Sequence, residues 1–451
     1  MASAALVELS TVSSAVERWL AGCGRELDVA VVAVAEAQEH AAAALAVAAS
    51  GGVTLSDDGT LATALPVATP AMAADQVTAL DELAAAGGRA EALAALALDH
   101  GGRVLQHLLA AGEALAPLSL VGAPGPADFA ALARHALPVG PVIVPPPADS
   151  RDADGVAVWW AGLTAAQHRV LIRSSPQLVG SLDGLPAWAR DAANRRLLAE
   201  EMRRPSGQRA QDTAQAVYAD IAAREATGQT VQLHQFDLAE DLVGLAVGDL
   251  DTATEVAVLV PGIRTTPADD VIGLSAAADR IATATRAAAP AAEVAVLVWL
   301  GYRAPGLATA WAPFAAARGG PALDRALDGL AANRNASPPR TTVVAHSYGT
   351  VVVERAAHAD GDLAADAVVL LGSPGIDEGT ADGLEADAVF DAATPADPIS
   401  YLGWFGEDTW DRSWGSTALP VDPGQGHSEY LDGDRPTLAA VGEVVAGTRT
   451  P

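Results

Sequence analysis

From about residue 228 onward, apolar and polar positions alternate in short blocks with the texture of strands; upstream the blocks are long and helical. QTVQLHQFDL and LVGLAVGDL read as two strands with a tight connection. EVAVLVPG reads as a strand over 255–260, apolar after Glu255, EVAVLVWLG repeats the pattern at 293–301, and TTVVAH, DAVVLLG and DAVFDAAT (387–394) follow. Helical spacing fills the gaps at Ser275–Ala289, Pro321–Asn333 and Gly349–Ala359. Continuous β-branched runs separated by helices predict a parallel sheet covered on both faces. The expected architecture is an α/β doubly wound sheet over 228–451, with ligands at the carboxyl ends of its strands.

Upstream, residues 1–50 are alanine-rich, with Val, Leu and Trp19 at three- and four-residue spacing. GGVTLSDDGT interrupts this pattern, and helical sequence resumes from about Ala73 to Leu115. An all-helical N-terminal region over 1–140 is expected. The prolines Pro145–Pro147 can continue neither a helix nor a central strand, so 141–155 reads as a linker. A helical segment over 156–227 leads into the α/β domain. In it, Pro186 suits the first turn of a helix that carries Trp188, Ala192, Leu197 and Leu198 inward.

Composition narrows the function classes. Half the residues are hydrophobic, which fits a folded protein. All 27 basic residues are arginine, against 56 acidic ones, and the net charge of −29 repels phosphate. Neither nucleic acid nor an anionic membrane is an expected partner. Cys23 is the single cysteine, which excludes an internal disulfide and a cysteine-based zinc site. No metal or other cofactor is expected. MASAALVELS has no positive region ahead of an apolar block, and apolar stretches break well before 18 residues. No membrane span is expected, and the expected location is cytoplasmic, with export without a cleaved signal as the alternative.

The chemistry is concentrated in VVAHSYGT, residues 343–350. A buried strand runs into a sharp turn with Ser347 at its apex and small residues, Ala345 and Gly349, on either side. This is the pattern of a nucleophile elbow, in which a serine hydroxyl projects above the sheet. The N–H of Tyr348, at the start of the following helix, would point at a developing oxyanion. Such a serine needs an acid and then a histidine downstream. Of the nine histidines only His358 and His427 follow it. His358 lies in the elbow helix, about 16 Å along the axis at roughly 1.5 Å per residue, too far to reach the hydroxyl. His427, in the glycine-flanked GQGHSEYL, remains. Asp397, in PADPIS after the last strand, is placed to orient it. Asp391 falls inside that strand, and Asp408 and Asp411 are rivals in the loop toward His427. The turn after the first buried strand, VLVPGIRTT, places Gly262 and Ile263 where a second oxyanion donor belongs. Between the acid and the histidine, YLGWFGEDTWDRSWG concentrates aromatics in a chain that is 4% aromatic. Trp404, Phe405 and Trp410 are candidates for an acyl or aryl pocket.

With these pieces in order the chain resembles the α/β-hydrolase superfamily. More narrowly, VLVPGIRTT, VLVWLGYRAP, TTVVAHSYGT, VVLLGSPG and GHSEYL, preceded by WWAGLT and LDGLPAWARDAAN, resemble an actinobacterial α/β-hydrolase-like family of unassigned function. The resemblance spans roughly residues 156–451 and implies Ser347, Asp397 and His427 as a triad. The family more often has glycine where Ala345 stands and a small residue where Arg264 stands. The resulting expectation is a serine hydrolase acting on a carboxylic ester or other small acyl substrate. The alternative is a non-catalytic interaction protein on the same fold, linked to secretion through the helical N-terminal region. That region is expected to serve self-association or a protein partner. Helical hairpins of secretion substrates carry a Trp-x-Gly turn, and the Trp-x-Gly sequences here, Trp160-Ala161-Gly162, Trp299-Leu300-Gly301 and Trp404-Phe405-Gly406, all lie outside it.

Overall fold

A computed structural model describes residues 146–451 except 148, 311, 335 and 336. The expected helical region at 1–140, linker residues 141–145 and 148, and Cys23 lie outside the described residues. Residues 162–175 belong to one compact unit, and residues 149–161 and 176–451 to a second. Within the first, helix α2 (Ala165–Ser174) opens on a capping box, where the Thr164 side chain accepts the Gln167 N–H and the Gln167 side chain accepts the Thr164 N–H.

The second unit begins with helices α1 (Ala153–Ala161), α3 (Pro176–Ser181), α4 (Ala187–Arg203) and α5 (Gln208–Ala226). Helix α4 starts directly after Pro186, as its sequence predicts, and its first N–H groups are capped from a distance. The Asp251 carboxylate accepts from Ala187 and Trp188 at 2.8 and 2.7 Å. Its inward face corrects the hydrophobic pattern. Trp188 is 45% exposed and Ala192 and Leu197 are half-buried, whereas Ala189, Arg190, Ala193, Asn194 and Leu198 are buried. Arg190 pairs with Asp183, and Asn194 donates to the carbonyls of Leu233 and Gly180. Two partnered polar side chains thus occupy the buried stripe that apolar spacing assigned to Trp188 and Ala192.

The sheet follows: β1 (Val231–Asp237), β2 (Leu242–Val247), β3 (Glu255–Val260), β4 (Val294–Leu300), β5 (Arg340–His346), β6 (Ala367–Leu371), β7 (Ala388–Ala392) and the short β8 (Thr417–Ala418). Its spatial order is β1-β2-β4-β3-β5-β6-β7-β8. The β1–β2 and β2–β4 pairs are antiparallel and all later pairs are parallel. Helices α6 (Pro267–Ala288), α7 (Phe314–Asn333), α8 (Gly349–Ala357) and α9 (Pro436–Val445) make the crossovers and the end of the chain.

The apolar runs are buried on both faces because each strand splits its side chains between two cores. Val256, Val258 and Val260 of β3 join Val343, Val368 and Leu370 under α7 and α8. Ala257 and Leu259 point the other way, toward Ile281 of α6 and Val441 of α9. Two helices start earlier than apolar spacing indicates. Helix α6 begins at Pro267, capped by the Thr266 side chain on the Asp269 N–H. Helix α7 begins at Phe314 and carries Pro321 inside it.

Candidate active site

The serine, acid and histidine singled out in the sequence converge at the carboxyl ends of β5, β6 and β7. Ser347 follows β5 directly and has φ +55°, in the left-handed region that a non-glycine residue rarely adopts. Its backbone is held there from both sides: the N–H donates to Leu371 O at 2.8 Å, and Ser347 O accepts from the Thr350 hydroxyl at 2.8 Å. Strain at an over-determined turn aims the side chain out of the strand. The helix behind it needs Gly349, since a Cβ there would sit 2.5 Å from Val260 O.

Ser347 Oγ lies 2.8 Å from His427 Nε2, and His427 Nδ1 lies 2.8 Å from Asp397 Oδ2. A carboxylate only accepts, so Nδ1 carries the proton and Nε2 is left to accept from the serine hydroxyl. Asp397 also caps an Asp-Pro turn, and its two oxygens divide the work. Oδ1 accepts the Ile399 N–H at 2.9 Å and caps the short turn Pro398–Tyr401, while Oδ2 faces the histidine.

Burial alone would push the Asp397 carboxyl up. Hydrogen bonds from His427 and Tyr430, the charge of His427 and the Ser400 hydroxyl outweigh it and hold the group at about 2. Asp391 is the contrasting case. Inside β7 it is pushed up to about 7 by burial, countered by a single side-chain donor, Thr409. Of the rivals in the loop, Asp411 accepts from Ser413 at the surface, and Asp408 makes no contact with His427. Only Asp397 meets the histidine.

The histidine's loop is pinned at several points. Arg435 pairs with Asp422 and Glu429 on either side of His427. His346, the residue before the serine, meets the His427 carbonyl through Nε2 at 2.7 Å, and the two rings lie 4.7 Å apart. Burial, and then the neighbouring His427, push the His346 imidazole down to about 4, so it stands neutral and donates there.

Gly262, after β3, packs against the serine; a Cβ there would lie 2.7 Å from Ser347 Cβ and 3.2 Å from Oγ. Among the described residues no acceptor takes the N–H of Ile263 or of Tyr348. The next residue, Arg264, is exposed at φ +61°, a backbone conformation that a glycine adopts freely. The Tyr348 ring is buried, and its hydroxyl donates to Ala312 O and accepts the Ala316 N–H.

The aromatics of the loop after Asp397 part ways. Phe405 stacks edge-on against Tyr348 with centroids 5.5 Å apart, and Trp414 is buried with its Nε1–H on Glu378 O. Trp404 is 59% exposed, while Trp410 and Tyr401 form an exposed pair whose centroids are 5.2 Å apart. Excluded by reach, His358 lies between Glu354 and Glu378.

The sequence pattern missed three contributors. Tyr430 donates to Asp397 Oδ2 at 2.7 Å, and Ser400 donates to the same oxygen at 2.9 Å. Gly372, at φ +60°, sits beneath the contact between acid and histidine. Both Tyr430 and Gly372 stand inside quoted motifs, GHSEYL and VVLLGSPG, so the signal was present without a role attached. Among the described residues, no group of three or more His, Cys, Asp or Glu side chains could hold a metal ion. No helix among them is long and apolar enough to cross a membrane.

Residues 239–406 match a family described as alpha/beta hydrolase. An uncharacterized protein of Mycobacterium tuberculosis is 28% identical over 375 residues, covering 72% of this chain and 54% of the relative. An uncharacterized protein of Mycobacterium bovis is 35% identical over 147 residues, covering 30% of this chain and 52% of the relative. The chain spans about half the length of these curated relatives. Among solved structures, the esterase LipW from Mycobacterium marinum aligns with a TM-score of 0.35 and 14% identity, over 54% of this chain and 89% of that one. A structure of an arylesterase aligns with a TM-score of 0.32 and 10% identity, over 56% and 95%. In sequence this chain resembles an actinobacterial α/β-hydrolase-like family of unassigned function, and its sheet topology is that of the α/β-hydrolase fold.

Proposed function

We propose, on the premise of an α/β-hydrolase fold, that this chain is a serine hydrolase that cleaves carboxylic esters through an acyl-enzyme. The observation that carries the reading is the unbroken run of hydrogen bonds from Ser347 through His427 to Asp397. In this mechanism Ser347 Oγ attacks the ester carbonyl while His427 Nε2 takes its proton. Asp397 holds the imidazole in the required tautomer and stabilises its charged form. The N–H groups of Tyr348 and Ile263 stabilise the oxyanion, and the lack of a side chain at Gly262 lets the carbonyl approach. The proton then passes from His427 to the leaving alcohol. Water, activated by the same imidazole, releases the acid and restores the serine.

Trp404 and Trp410, exposed on the loop that follows the acid, are proposed to meet the acyl or aryl part of the substrate. Trp410 is a poor probe, since its Nε1–H donates to Ser400 O and Ser400 supports Asp397. Trp404 is the cleaner one. With the residue 59% exposed, Trp404→Ala is expected to leave the melting temperature unchanged. It should raise KM for long-chain or aromatic nitrophenyl esters several-fold, and for the acetyl ester little. An equal rise for all esters with a lower melting temperature would assign the ring to the core instead.

Gly372→Ala tests the support beneath the acid. The new Cβ would lie 2.8 Å from Asp397 Oδ2 and 3.0 Å from His427 Nδ1. The left-handed backbone costs alanine about 1–2 kcal/mol. A displacement of the order of 1 Å at a catalytic pair costs about a hundredfold in rate. Both a lower melting temperature and that loss of turnover are expected; wild-type turnover would show that the acid and base tolerate the shift.

Turnover of a nitrophenyl ester panel by the full chain tests the proposal as a whole. A folded wild type inert toward every acyl length would favour the interaction protein.

A further inference from the structure

We propose that Tyr430, together with Ser400, is a positioning group that tunes the Asp397–His427 pair, so that the phenol governs the pH range over which the site works. The inference rests on the hydrolase reading above. It starts from an imbalance in the carboxylate's partners. A carboxylate offers about four lone-pair sites over two oxygens. Here Oδ1 takes one donor, the Ile399 N–H. Oδ2 takes three: His427 Nδ1 at 2.8 Å, the Tyr430 hydroxyl at 2.7 Å and the Ser400 hydroxyl at 2.9 Å. The histidine therefore shares its acceptor atom with two hydroxyls.

A buried phenol requires a partner, and Tyr430 is 1% exposed. It could have been satisfied by any backbone carbonyl. Its hydroxyl instead accepts the Thr394 N–H at 3.3 Å and gives its proton to the one carboxylate oxygen that the base uses. Burial, and then the hydrogen bond to Asp397, push the phenol well above its ordinary range, so it remains a donor throughout the working range. The spacing makes this local. The Glu429 N–H donates to Gly426 O across a tight turn, which brings residue 430 back toward the acid that residue 427 contacts.

The physical consequence has two parts. Two fixed hydroxyls lock the plane of the carboxylate, and with it the direction in which the imidazole points. They also draw on the charge of Oδ2, since hydrogen bonds to a charged acceptor are strong and compete with one another. Without the phenol, Oδ2 holds the imidazole N–H more tightly and favours its charged form. The groups that face this pair are few. Ser400, Tyr401 and the Ile399 N–H come from the turn after β7. His346 comes from the end of β5, with its ring 4.7 Å from His427 and 6.2 Å from Tyr430. His346, pushed down to about 4, remains uncharged above that pH and does not confuse the titration.

The test uses the full chain carrying Tyr430→Phe and, separately, Ser400→Ala. Three quantities are read: the pH profile of kcat/KM on nitrophenyl acetate, the low-field proton resonance of the His427–Asp397 hydrogen bond, and the melting temperature. Phenylalanine fills the same apolar volume, so the change is confined to the hydroxyl. The acid limb of kcat/KM should move upward by about half to one pH unit, and kcat should fall about tenfold with KM nearly unchanged. The low-field resonance should move further downfield. A lower melting temperature with an unmoved acid limb and an unmoved resonance would overturn the proposal and leave Tyr430 a core residue. Should Tyr430→Phe not fold, the same readouts on Ser400→Ala decide. A wild type inert toward esters would sink the hydrolase reading alone, and the resonance shift would still decide whether the phenol tunes the pair.

Discussion

Ser347→Ala is expected to abolish ester turnover, a loss of about 10⁶-fold in kcat, as found where a serine nucleophile is removed from a working triad. The size follows from the geometry. His427 Nε2 has no second acidic hydroxyl within the contacts it makes, so no side chain inherits the attack. The proposed oxyanion donors are backbone groups and would survive the substitution, leaving a residual rate well above that in water. The fold should be unaffected: Ser347 is held by its backbone N–H and carbonyl, and alanine keeps both. Ester turnover and thermal unfolding of the purified variant check this together. A tenfold loss, or a collapse of the melting temperature, would mean that Ser347 is a structural turn residue.

Asp397→Asn should lower kcat by about 10⁴-fold, the cost of presenting the wrong imidazole tautomer. The amide disturbs the site because all four partners of the carboxylate donate to it. If the NH₂ takes the place of Oδ2, it donates to His427 Nδ1, which moves the ring proton to Nε2 and disables the base, and the Tyr430 and Ser400 hydroxyls must turn to accept. If it takes the place of Oδ1, it opposes the Ile399 N–H. The first orientation gives the wrong tautomer, and the second leaves a buried donor facing a donor.

Stability should follow with a defined sign. The folded carboxyl lies at about 2, below its ordinary value near 3.9, so it contributes stability that is fully present above the ordinary value and lost as pH falls toward 2. The melting temperature of Asp397→Asn should therefore fall below wild type at pH 7 and approach it in acid. Asp408→Asn and Asp411→Asn should be mild in both respects. If either of these cripples turnover while Asp397→Asn does not, the acid has been misassigned.

The chain disclosed its sheet plainly, because strands buried on both faces must be apolar throughout and their runs are short and β-branched. The elbow was legible for a related reason: a serine between small residues at a strand end has few structural uses. His427 followed from chain order and reach, whereas Asp397 was placed by its position after a strand, with Asp408 and Asp411 left open as rivals. Other features needed coordinates. The inward face of α4 carries Arg190 and Asn194, and only their partners, Asp183 and the Leu233 carbonyl, make that burial tolerable. Those partners are remote in sequence or on another element. Tyr430 reads as a core aromatic in any pattern of apolar spacing; its hydroxyl becomes informative once its acceptor is known. The start of α6 is legible in the sequence as well, since Thr266, Pro267 and the acidic pair Asp269 and Asp270 form a full set of N-terminal signals. The start of α7 is not, because proline usually opens a helix, whereas here the helix continues through Pro321.

The central claim is that Ser347 is an activated nucleophile. Incubating the full chain with a fluorophosphonate and measuring the intact mass, followed by peptide mapping, tests this most directly. The expected result is one adduct, on Ser347, formed at a rate that falls sharply in His427→Ala and absent from Ser347→Ala. A folded wild type that takes no adduct, or one labelled equally well after Ser347→Ala, would contradict it.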